Sequence, residues 1–497
     1  MTLRLHPYFF TLIPLLLAYL PGVAKMPLPD FMLALSALLL LVFILAQLFT
    51  WIYKNPQKGS LAASAVILGL FCFGYVLNYG YALKARHMMS FSQDRLYLLW
   101  GLLFAGILSG LWFVRLLPDF VTSACNIASV ALVAVLTLVY VPSVMPWQAP
   151  TARQNLPDIY YIVLDAYDRE DMLSRYYGFS NQPFLDALRQ RGFYIADKSC
   201  TNYAIGVFSL ASSLNLDYLN KLPMPTPQTA TDYNAVGSLI TDNRAARLLK
   251  AKGYRYIQIN SWNTVSGPLA DLSFSVPQED KLLTRLLTQS ILAPSFRKSS
   301  TPQPLQQRRH ILNSLAALRQ VPAMRGPKFV FAHLVSPHPP FLFDANGNFP
   351  PQPKKKRNQW PRVKEYTAQV AFINGQLLQI VDGILSSAAH TEPGRPAPVI
   401  IIQGNHGTKF SGYLGEATWP TPFVRERSSI LNAYYVAPAL RRFLTPDITP
   451  VNTFRFILDH YLQYHLPYLN NQIWFQSTLN PYRLKDVTDQ TDCAFAK

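Results

Sequence analysis

Five long apolar runs occupy the N-terminal part of the chain. Each approaches the roughly 20 residues that a helix needs to cross the hydrocarbon core of a membrane, and none contains an acidic or basic residue. One such run often forms a buried helix in a soluble protein, but five in succession predict a transmembrane domain, which we place at residues 1–142. The runs are Tyr8–Ala24, Phe31–Tyr53, Leu61–Leu83, Leu96–Val114 and Phe120–Val141.

The first run and the orientation of the spans leave alternatives open. The first run is short and contains Pro14 and Pro21, so a signal peptide is its alternative interpretation. The other four runs still predict a membrane-spanning protein. Five crossings place the two termini on opposite sides, but four Lys or Arg residues flank the spans on each side, so the positive-inside rule does not decide the orientation.

The rest of the chain alternates strand-like and helix-like patterns. Residues 143–157 have no apolar period and are typical of a linker, and residues 158–497 predict one α/β domain with a mainly parallel central sheet. The predicted strands are Ile159–Leu164, Tyr254–Ile259, Phe329–Leu334, Val399–Ile402 and Ile430–Val436. The predicted helices are Gln182–Arg191, which ends before Gly192, Ala235–Lys252, which ends before Gly253, and Val363–Leu385.

Charge and cysteine content narrow the class of protein. The 497 residues include 45 Lys and Arg against 27 Asp and Glu, an excess of +5 in residues 1–142 and +13 in the remainder. Such charge attracts nucleic acid, anionic lipid or acidic polymers, but the chain has no nucleic-acid motif and is predicted to have a membrane anchor. The basic run Lys354–Arg357 is either a solvated loop or a patch for anionic headgroups. Cys200 and Cys493 are a candidate disulfide pair, while Cys72 and Cys125 lie in apolar runs.

Polar residues follow several of the predicted strands. In a parallel α/β sheet, ligands gather at the carboxyl ends of the strands. Asp165 follows the first strand, His333 and His338 lie near the end of the third, and Asn405 and His406 follow the fourth. These five residues are therefore the first candidates for a functional site.

Several segments of residues 157–465 resemble the sulfatase-like branch of the alkaline phosphatase superfamily, and most of all its membrane proteins of the lipoteichoic-acid-synthase and phosphoethanolamine-transferase type. The resemblance is specific because the segments keep their order along the chain. They are DIYYIVLDAY (158–167), TNYAIGVFSLASSLNLDYL (201–219), FVFAHLVSPHPPF (329–341), YTAQVAFINGQL (366–377), IIQGNHG (401–407), SILNAYYVAP (429–438) and TPVNTFRFILDHYL (449–462).

The resemblance implies a site whose central residues are altered. In active relatives, an acidic residue after the first strand and an Asp-His pair after a late strand bind a divalent metal, and a Thr or Ser at a helix N-terminus attacks phosphorus or sulfur. Asp165 and His406 match two of these ligands. Asn405 stands at the Asp position and lacks its negative charge, and Gly206 stands at the nucleophile position and has no side chain. A divalent ion (Mn²⁺, Mg²⁺ or Zn²⁺) is therefore expected to bind weakly to Asp165, Asn405 and His406.

The resemblance also bears on the remaining candidates. His333 and His338 match paired histidines of the transferases, of which the second commonly contacts the substrate headgroup; both are also explained as ordinary buried or loop residues. Cys200 lacks the Cys-x-Pro-x-Arg context that sulfatases use to make formylglycine. Thr201 and Ser209 lie several residues from the nucleophile position, so neither is a strong substitute.

Two functional hypotheses follow. The first is a non-catalytic, sulfatase-like protein of the cell envelope that binds an anionic lipid, a glycan or a partner protein. The second is a working metal-dependent phospho- or sulfo-ester hydrolase or headgroup transferase that uses a substitute nucleophile or water. A purely structural role as a membrane scaffold is a third interpretation, because fold does not fix function. In each case the resemblance implies a multi-pass protein of the cytoplasmic membrane with its α/β domain on the outer face.

Overall fold

The chain divides into two compact units. A computed structural model describes residues 3–19, 28–77, 79, 92–115, 117–144, 156–222, 230–261, 267, 269–274, 282–293, 303–351, 362–391, 396–412, 414–415 and 418–493. The first unit comprises Met1–Pro146 and Pro277–Thr301, and the second comprises Trp147–Val276 and Pro302–Lys497. Most of the predicted linker and the basic run at 354–357 lie outside the described residues.

The first unit is helical. Three of its described helices are long and apolar enough to cross a membrane, over Pro29–Tyr53, Gln93–Phe113 and Asp119–Leu138. The first predicted run is described as far as Tyr19, and the third is described only in part, so the predicted count of five spans is not confirmed. The helices are α1 His6–Tyr19, α2 Leu28–Tyr53, α3 Pro56–Phe71, α4 Gln93–Phe113 and α5 Asp119–Val144.

A short segment from the middle of the chain packs with these helices. Helix α11 (Leu282–Thr288) contributes Leu282 and Leu286 to the apolar core of the first unit. The backbone N–H of Ile291 donates to Leu70 O at 2.8 Å, and that of Gly74 donates to Gln289 O at 2.8 Å. The sequence analysis had placed this segment within the α/β domain at 158–497, and the structure groups it with the helices of the first unit.

The second unit contains a mixed sheet of seven strands in the order β2-β7-β6-β1-β5-β3-β4. Strands β6, β1, β5, β3 and β4 run parallel, while β7 pairs antiparallel with β6 and β2 pairs antiparallel with β7. The predicted α/β fold with a mainly parallel sheet is therefore confirmed. The strands are β1 Ile159–Asp165, β2 Tyr194–Ile195, β3 Arg255–Ile259, β4 Leu272–Phe274, β5 Lys328–Pro337, β6 Val399–Gly404 and β7 Asn432–Tyr435, with a separate hairpin of β8 Trp474–Ser477 and β9 Asn480–Asp486.

Helices cover both faces of this sheet. The central strand β1 is buried at every position, and its side chains alternate between two cores: Tyr160, Ile162 and Leu164 face one, and Ile159, Tyr161 and Val163 face the other. Burial on both faces explains why this strand reads as a continuous apolar run. The helices of this unit are α6 Glu170–Tyr177, α7 Gln182–Gln190, α8 Gly206–Asn215, α9 Asn234–Thr241, α10 Arg244–Ala251, α12 Gln303–Gln320, α13 Val363–Thr391, α14 Thr421–Ser428 and α15 Pro450–Leu462.

One predicted helix is wrong in its extent. The pattern at Ala235–Lys252 predicts a continuous helix, but the structure contains α9 and α10 with a break at Asp242 and Asn243. The side chain of Asn243 accepts a hydrogen bond from Ala246 N at 2.8 Å and so caps the second helix. Asparagine favours this N-cap role over the helix interior, which the apolar period alone does not reveal.

Candidate functional site

The predicted site residues meet at one edge of the central sheet. Strand β1 lies between β5 and β6, with Val163 opposite His333 and Leu164 opposite Gly404. Because all three strands run parallel, Asp165 at the end of β1 lies beside the residues that follow β6. The structure therefore confirms that Asp165 and His406 share the carboxyl edge of the sheet.

Asp165 is surrounded by imidazole rings. Its Oδ1 lies 3.0 Å from His406 Nε2, and its Oδ2 lies 3.8 Å from His333 Nε2. The ring of His338 lies 6.3 Å from that of His406 between centroids, and its backbone N–H donates to Asp165 O at 3.0 Å. The carboxylate and the rings of His333 and His406 are all buried.

The protonation states of this group follow from burial and mutual charge. Burial lowers the pKa of His406 to about 4, with the Arg427 charge acting in the same direction, and burial also lowers the pKa of His333 and His338. Burial by itself opposes ionisation of Asp165, but interactions with His338 and His406 hold its pKa well below the usual range. At neutral pH Asp165 is therefore a carboxylate.

The pair of Asp165 and His406 retains unused hydrogen-bonding capacity. His406 Nδ1 lies 3.0 Å from Gly407 O, and its Nε2 faces Asp165 Oδ1. A neutral imidazole carries a single N–H and donates to one of these two oxygens. The Nε2 atom of His333 is buried without a hydrogen-bond partner in the described structure. A ligand in the cleft would satisfy such groups.

Gly206 begins helix α8 and faces this cluster, as the sequence predicts. A β-carbon built on Gly206 would lie 2.6 Å from Asn405 Nδ2 and 3.3 Å from His406 Nε2. The first distance is shorter than real β-carbon contacts, so any side chain at this position requires Asn405 to shift. Residue 206 therefore presents no side chain here, and the neighbouring amide lines its position closely.

The amide of Asn405 presents its nitrogen to Gly206. The backbone N–H of Ala166 donates to Asn405 Oδ1 at 3.3 Å, which turns the NH₂ group towards Gly206. Asn405 is 2% exposed, and its Nδ2 has no hydrogen-bond partner among the described residues. An NH₂ group donates hydrogen bonds and does not ligate a cation.

Two cations near the site were not identified from the sequence. Lys409 and Arg427 both interact electrostatically with Asp165. Arg427 Nε donates to Ala204 O at 2.8 Å, and its Nη1 donates to Gly407 O at 2.5 Å. Burial, together with the Arg427 charge, lowers the pKa of Lys409 to about 8, and burial lowers that of Arg427 to about 10, so both remain mainly charged at neutral pH. Lys409 lies three residues after His406 and two beyond the segment IIQGNHG (401–407), whereas Arg427 reaches the site from α14.

These residues fit a divalent metal poorly. Asp165 and His406 offer two ligand atoms, but Gly206 offers none. Asn405 turns its NH₂ group, a hydrogen-bond donor, towards this point. Among the described residues, Asp165 and the histidines form no group of three whose ligand atoms all lie within 4.8 Å of one another. Protein zinc sites commonly use three or four protein ligands. Lys409 and Arg427 both interact with Asp165 and would repel a dication bound there.

The candidate substitute nucleophiles are already engaged. Cys200 forms a disulfide with Cys493, with Cα atoms 6.0 Å apart, which answers the question of pairing that the sequence left open. Thr201 Oγ1 lies 2.7 Å from Asn405 O and 2.9 Å from Ser209 Oγ. The two hydroxyls bond to each other, and that of Thr201 also bonds to the backbone.

A second buried cluster holds the loop that carries His406. Thr408 N donates to Asp168 Oδ1 at 2.7 Å, and Thr408 Oγ1 lies 2.6 Å from Asp168 Oδ2 and 2.5 Å from Glu426 Oε1. A β-carbon on Gly407 would lie 2.1 Å from Glu426 O, so only glycine allows this approach. Asp168 and Glu426 therefore hold the loop after β6 in place, and this loop positions His406 beside Asp165.

Comparison with known proteins finds similar solved structures. No family model matches the chain, and no curated protein matches it. The structure is similar to the C-terminal periplasmic domain of EptC from Escherichia coli, at 12% identity over 68% of this chain and 94% of that chain, with a TM-score of 0.43. It is also similar to the soluble domain of lipooligosaccharide phosphoethanolamine transferase A from Neisseria meningitidis, at 12% identity over 62% of this chain and 89% of that chain, with a TM-score of 0.38. A third similar structure is the phosphonate monoester hydrolase of Agrobacterium radiobacter, at 12% identity over 64% of this chain and 80% of that chain, with a TM-score of 0.39. At these TM-scores the similarities carry no conclusion about activity, substrate or metal.

Proposed function

We propose that this chain is a membrane-anchored, sulfatase-like protein whose cleft binds a ligand without catalysing its turnover. The ligand is an anionic lipid headgroup, a glycan or a partner protein of the cell envelope. The observation that carries the proposal is the pairing of Gly206 with Asn405. The position aligned with the nucleophile has no side chain, and the neighbouring amide directs its NH₂ group into the same place.

Electrostatics supports binding over metal-dependent chemistry. A hydrolase or transferase of this class needs a metal to activate its nucleophile and to stabilise charge on the transferring group. Here Asp165 is the one acidic residue among the predicted ligands, and Lys409 and Arg427 lie close enough to interact with it. Both cations disfavour a dication beside Asp165, while Glu426 and Asp168 also interact with Arg427.

The outer-face location of the α/β domain belongs to the same proposal. The candidate membrane helices lie near the N-terminus, and the Cys200–Cys493 disulfide suits an oxidising compartment. Disulfides persist outside the cytoplasm and are rare within it. An outer-face cleft would meet the headgroups and polymers of the envelope.

A hydrolase that uses water is the second candidate, and one contact favours it. His406 Nε2 lies 3.0 Å from Asp165 Oδ1, which resembles the pairing of a general base with an orienting carboxylate. Against it, a pKa of about 4 makes His406 a weak base at neutral pH.

Turnover and metal content distinguish the two candidates. The full-length protein in detergent is assayed for metal-dependent hydrolysis of phosphodiester and sulfate-ester model substrates, beside His406→Ala and a control, His465→Ala, in which an exposed histidine changes. We expect equal background rates in all three proteins and little bound metal in the purified wild type. Robust wild-type turnover that is lost in His406→Ala and kept in His465→Ala would replace this proposal with the hydrolase.

A further inference from the structure

A partly open cavity of about 380 Å³ lies between helices α6 and α7 and strand β2. It is apart from the cleft, because neither Asp165 nor His406 lines it. Its floor is apolar and is formed by the buried Leu185 and Leu431 and the half-buried Ile195. A cavity of this size accommodates a small organic group or one long side chain.

The two basic side chains that line this cavity are already paired with acids. Arg169 Nε lies 2.7 Å from Asp171 Oδ1, and its Nη2 lies 2.7 Å from Asp492 Oδ2. Arg189 Nη1 lies 2.8 Å from Asp186 Oδ1. Because each arginine has an acidic partner, neither adds net positive charge to the cavity.

Two further acids of the cavity have no such partner. Glu170 at the start of α6 and Asp197 after β2 both line it, and neither forms an ion pair within the described part of the chain. Lys198, which follows Asp197, is exposed and does not line the cavity. Partial burial raises the pKa of Glu170, and the Asp171 charge acts in the same direction, so a cation beside Glu170 would stabilise its carboxylate. The cavity therefore suits a positive charge carried on an apolar stem.

Strand β2 leaves an open edge beside this cavity. It stands at the end of the strand order and, among the described strands, pairs with β7 alone. Ala196 N donates to Asn432 O at 2.9 Å. In an antiparallel pair alternate residues bond to the partner strand, so the N–H and C=O groups of Ile195 point away from β7. Such an edge pairs readily with an extended segment of another chain.

We propose that the edge of β2 and the adjoining cavity receive an extended, basic segment of a partner polypeptide. The backbone of the segment pairs with Ile195. A lysine or arginine side chain enters the cavity, its aliphatic stem packs against Leu185 and Leu431, and its charge is balanced by Glu170 and Asp197. The proposal goes beyond the proposed function, because this surface is separate from the cleft.

The test uses the full-length protein in detergent and a fluorescent, acetylated peptide of about seven residues in which valine and lysine alternate. Binding is measured by fluorescence anisotropy. We expect this peptide to bind, and we expect its affinity to fall as the salt concentration rises. A peptide with glutamate in place of lysine should bind about tenfold more weakly, or worse. The lysine peptide methylated at every backbone nitrogen should be weakened to a similar extent, because it cannot donate to Ile195 O.

A double variant tests the two free acids. Glu170→Gln with Asp197→Asn removes both charges and should weaken binding of the lysine peptide by about tenfold. The glutamine keeps an oxygen that can accept from Asn181 N, as Glu170 Oε2 does at 2.6 Å, so the fold should be retained. The matched control is Asp232→Asn with Asp489→Asn, which removes the same net charge at two exposed acids outside the cavity and should leave binding unchanged.

Several results would overturn the proposal. They are no binding of the lysine peptide, equal affinity for the lysine and glutamate peptides, and unchanged affinity in Glu170→Gln with Asp197→Asn. Undiminished binding of the methylated peptide would show that the edge of β2 is not used. Butylamine, which carries the charge and stem of a lysine side chain, would assign the cavity to a small amine if it bound as tightly as the peptide. None of these results concerns turnover, so the proposed function of the cleft stands or falls separately.

Discussion

A β-carbon on Gly206 would stand 2.6 Å from the side-chain nitrogen of Asn405. Residues 206 and 405, which the resemblance singles out as altered, therefore lie next to each other, although they are on different elements. Because Gly206 has no side chain, there is space beside it for the Asn405 amide. The NH₂ group of Asn405 occupies that space. Changes at the two positions should act together rather than independently.

Restoring both residues should strengthen metal binding. In Gly206→Thr with Asn405→Asp, the hydroxyl and the second carboxylate add two oxygen ligands and one negative charge beside Asp165 and His406. We expect the affinity for Mn²⁺ or Zn²⁺, measured by titration calorimetry, to rise by about tenfold or more over wild type. Gly206→Thr alone should gain little, because the threonine meets Asn405.

Gly237→Ala serves as the folding control for this pair. Turnover need not return with metal affinity, since other substrate contacts are not rebuilt. Metal affinity of the double variant equal to that of the wild type would contradict the alignment of residues 206 and 405 with the ancestral metal site.

The stability of the protein should depend on the ionisation of Asp168. Burial, followed by the nearby charge of Glu426, raises the pKa of Asp168 well above its usual range. A carboxyl group with a raised pKa in the folded state stabilises the fold fully below its unfolded pKa of about 3.9, and this contribution is lost as pH rises through the folded pKa. In Asp168→Asn the side-chain NH₂ group can donate a hydrogen bond to Thr408 Oγ1. The hydroxyl group of Thr408 then donates its own proton to a hydrogen bond with Glu426.

We therefore expect Asp168→Asn to unfold at a higher temperature than wild type at neutral pH, by about 2–4 °C for each 1 kcal/mol gained. The difference should shrink as pH falls towards 4. Asp489→Asn, at an exposed acid, is the control and should show no such trend. A difference that stays constant with pH would mean that Asp168 is already ionised in the folded protein.

The disulfide should be present in the protein from cells and should contribute to its stability. Cys200 and Cys493 are 293 residues apart, so their bond restricts a large part of the unfolded chain. Replacing both by alanine should lower the free energy of unfolding by about 2–5 kcal/mol. Of the four cysteines, two should react with a maleimide in denaturant without reduction and four after reduction.

Cys72→Ser controls this count, because it should remove one of the two thiols that react without reduction. On intact cells, a membrane-impermeant thiol reagent applied after reduction should reach a cysteine tag at the C-terminus. Reaction of four thiols without reduction, or tag labelling only after lysis, would place the α/β domain on the cytoplasmic side.

The strands and the main site residues followed from the sequence for a physical reason. A strand buried on both faces needs apolar residues at every position, so β1 was visible as Ile159–Leu164, and a polar residue directly after such a strand must lie at the sheet edge. Asp165, Asn405 and His406 were located in this way, and the motif order indicated Gly206. Local patterns were less informative where a single side chain decides where a helix begins. Asn243 caps a new helix and so divides a segment that the apolar period predicts as one continuous helix.

The sequence by itself determined the α/β class, the apolar N-terminal helices and the residues at the strand ends, because each depends on residue type and local period. Only the tertiary structure decided which face of the Asn405 amide meets Gly206, that Arg427 reaches the cleft from α14, that Cys200 pairs with Cys493 and that α11 packs with the N-terminal helices. These are contacts between segments far apart in the chain. Their geometry depends on how the whole domain packs, and no local pattern of hydrophobic and polar residues encodes it.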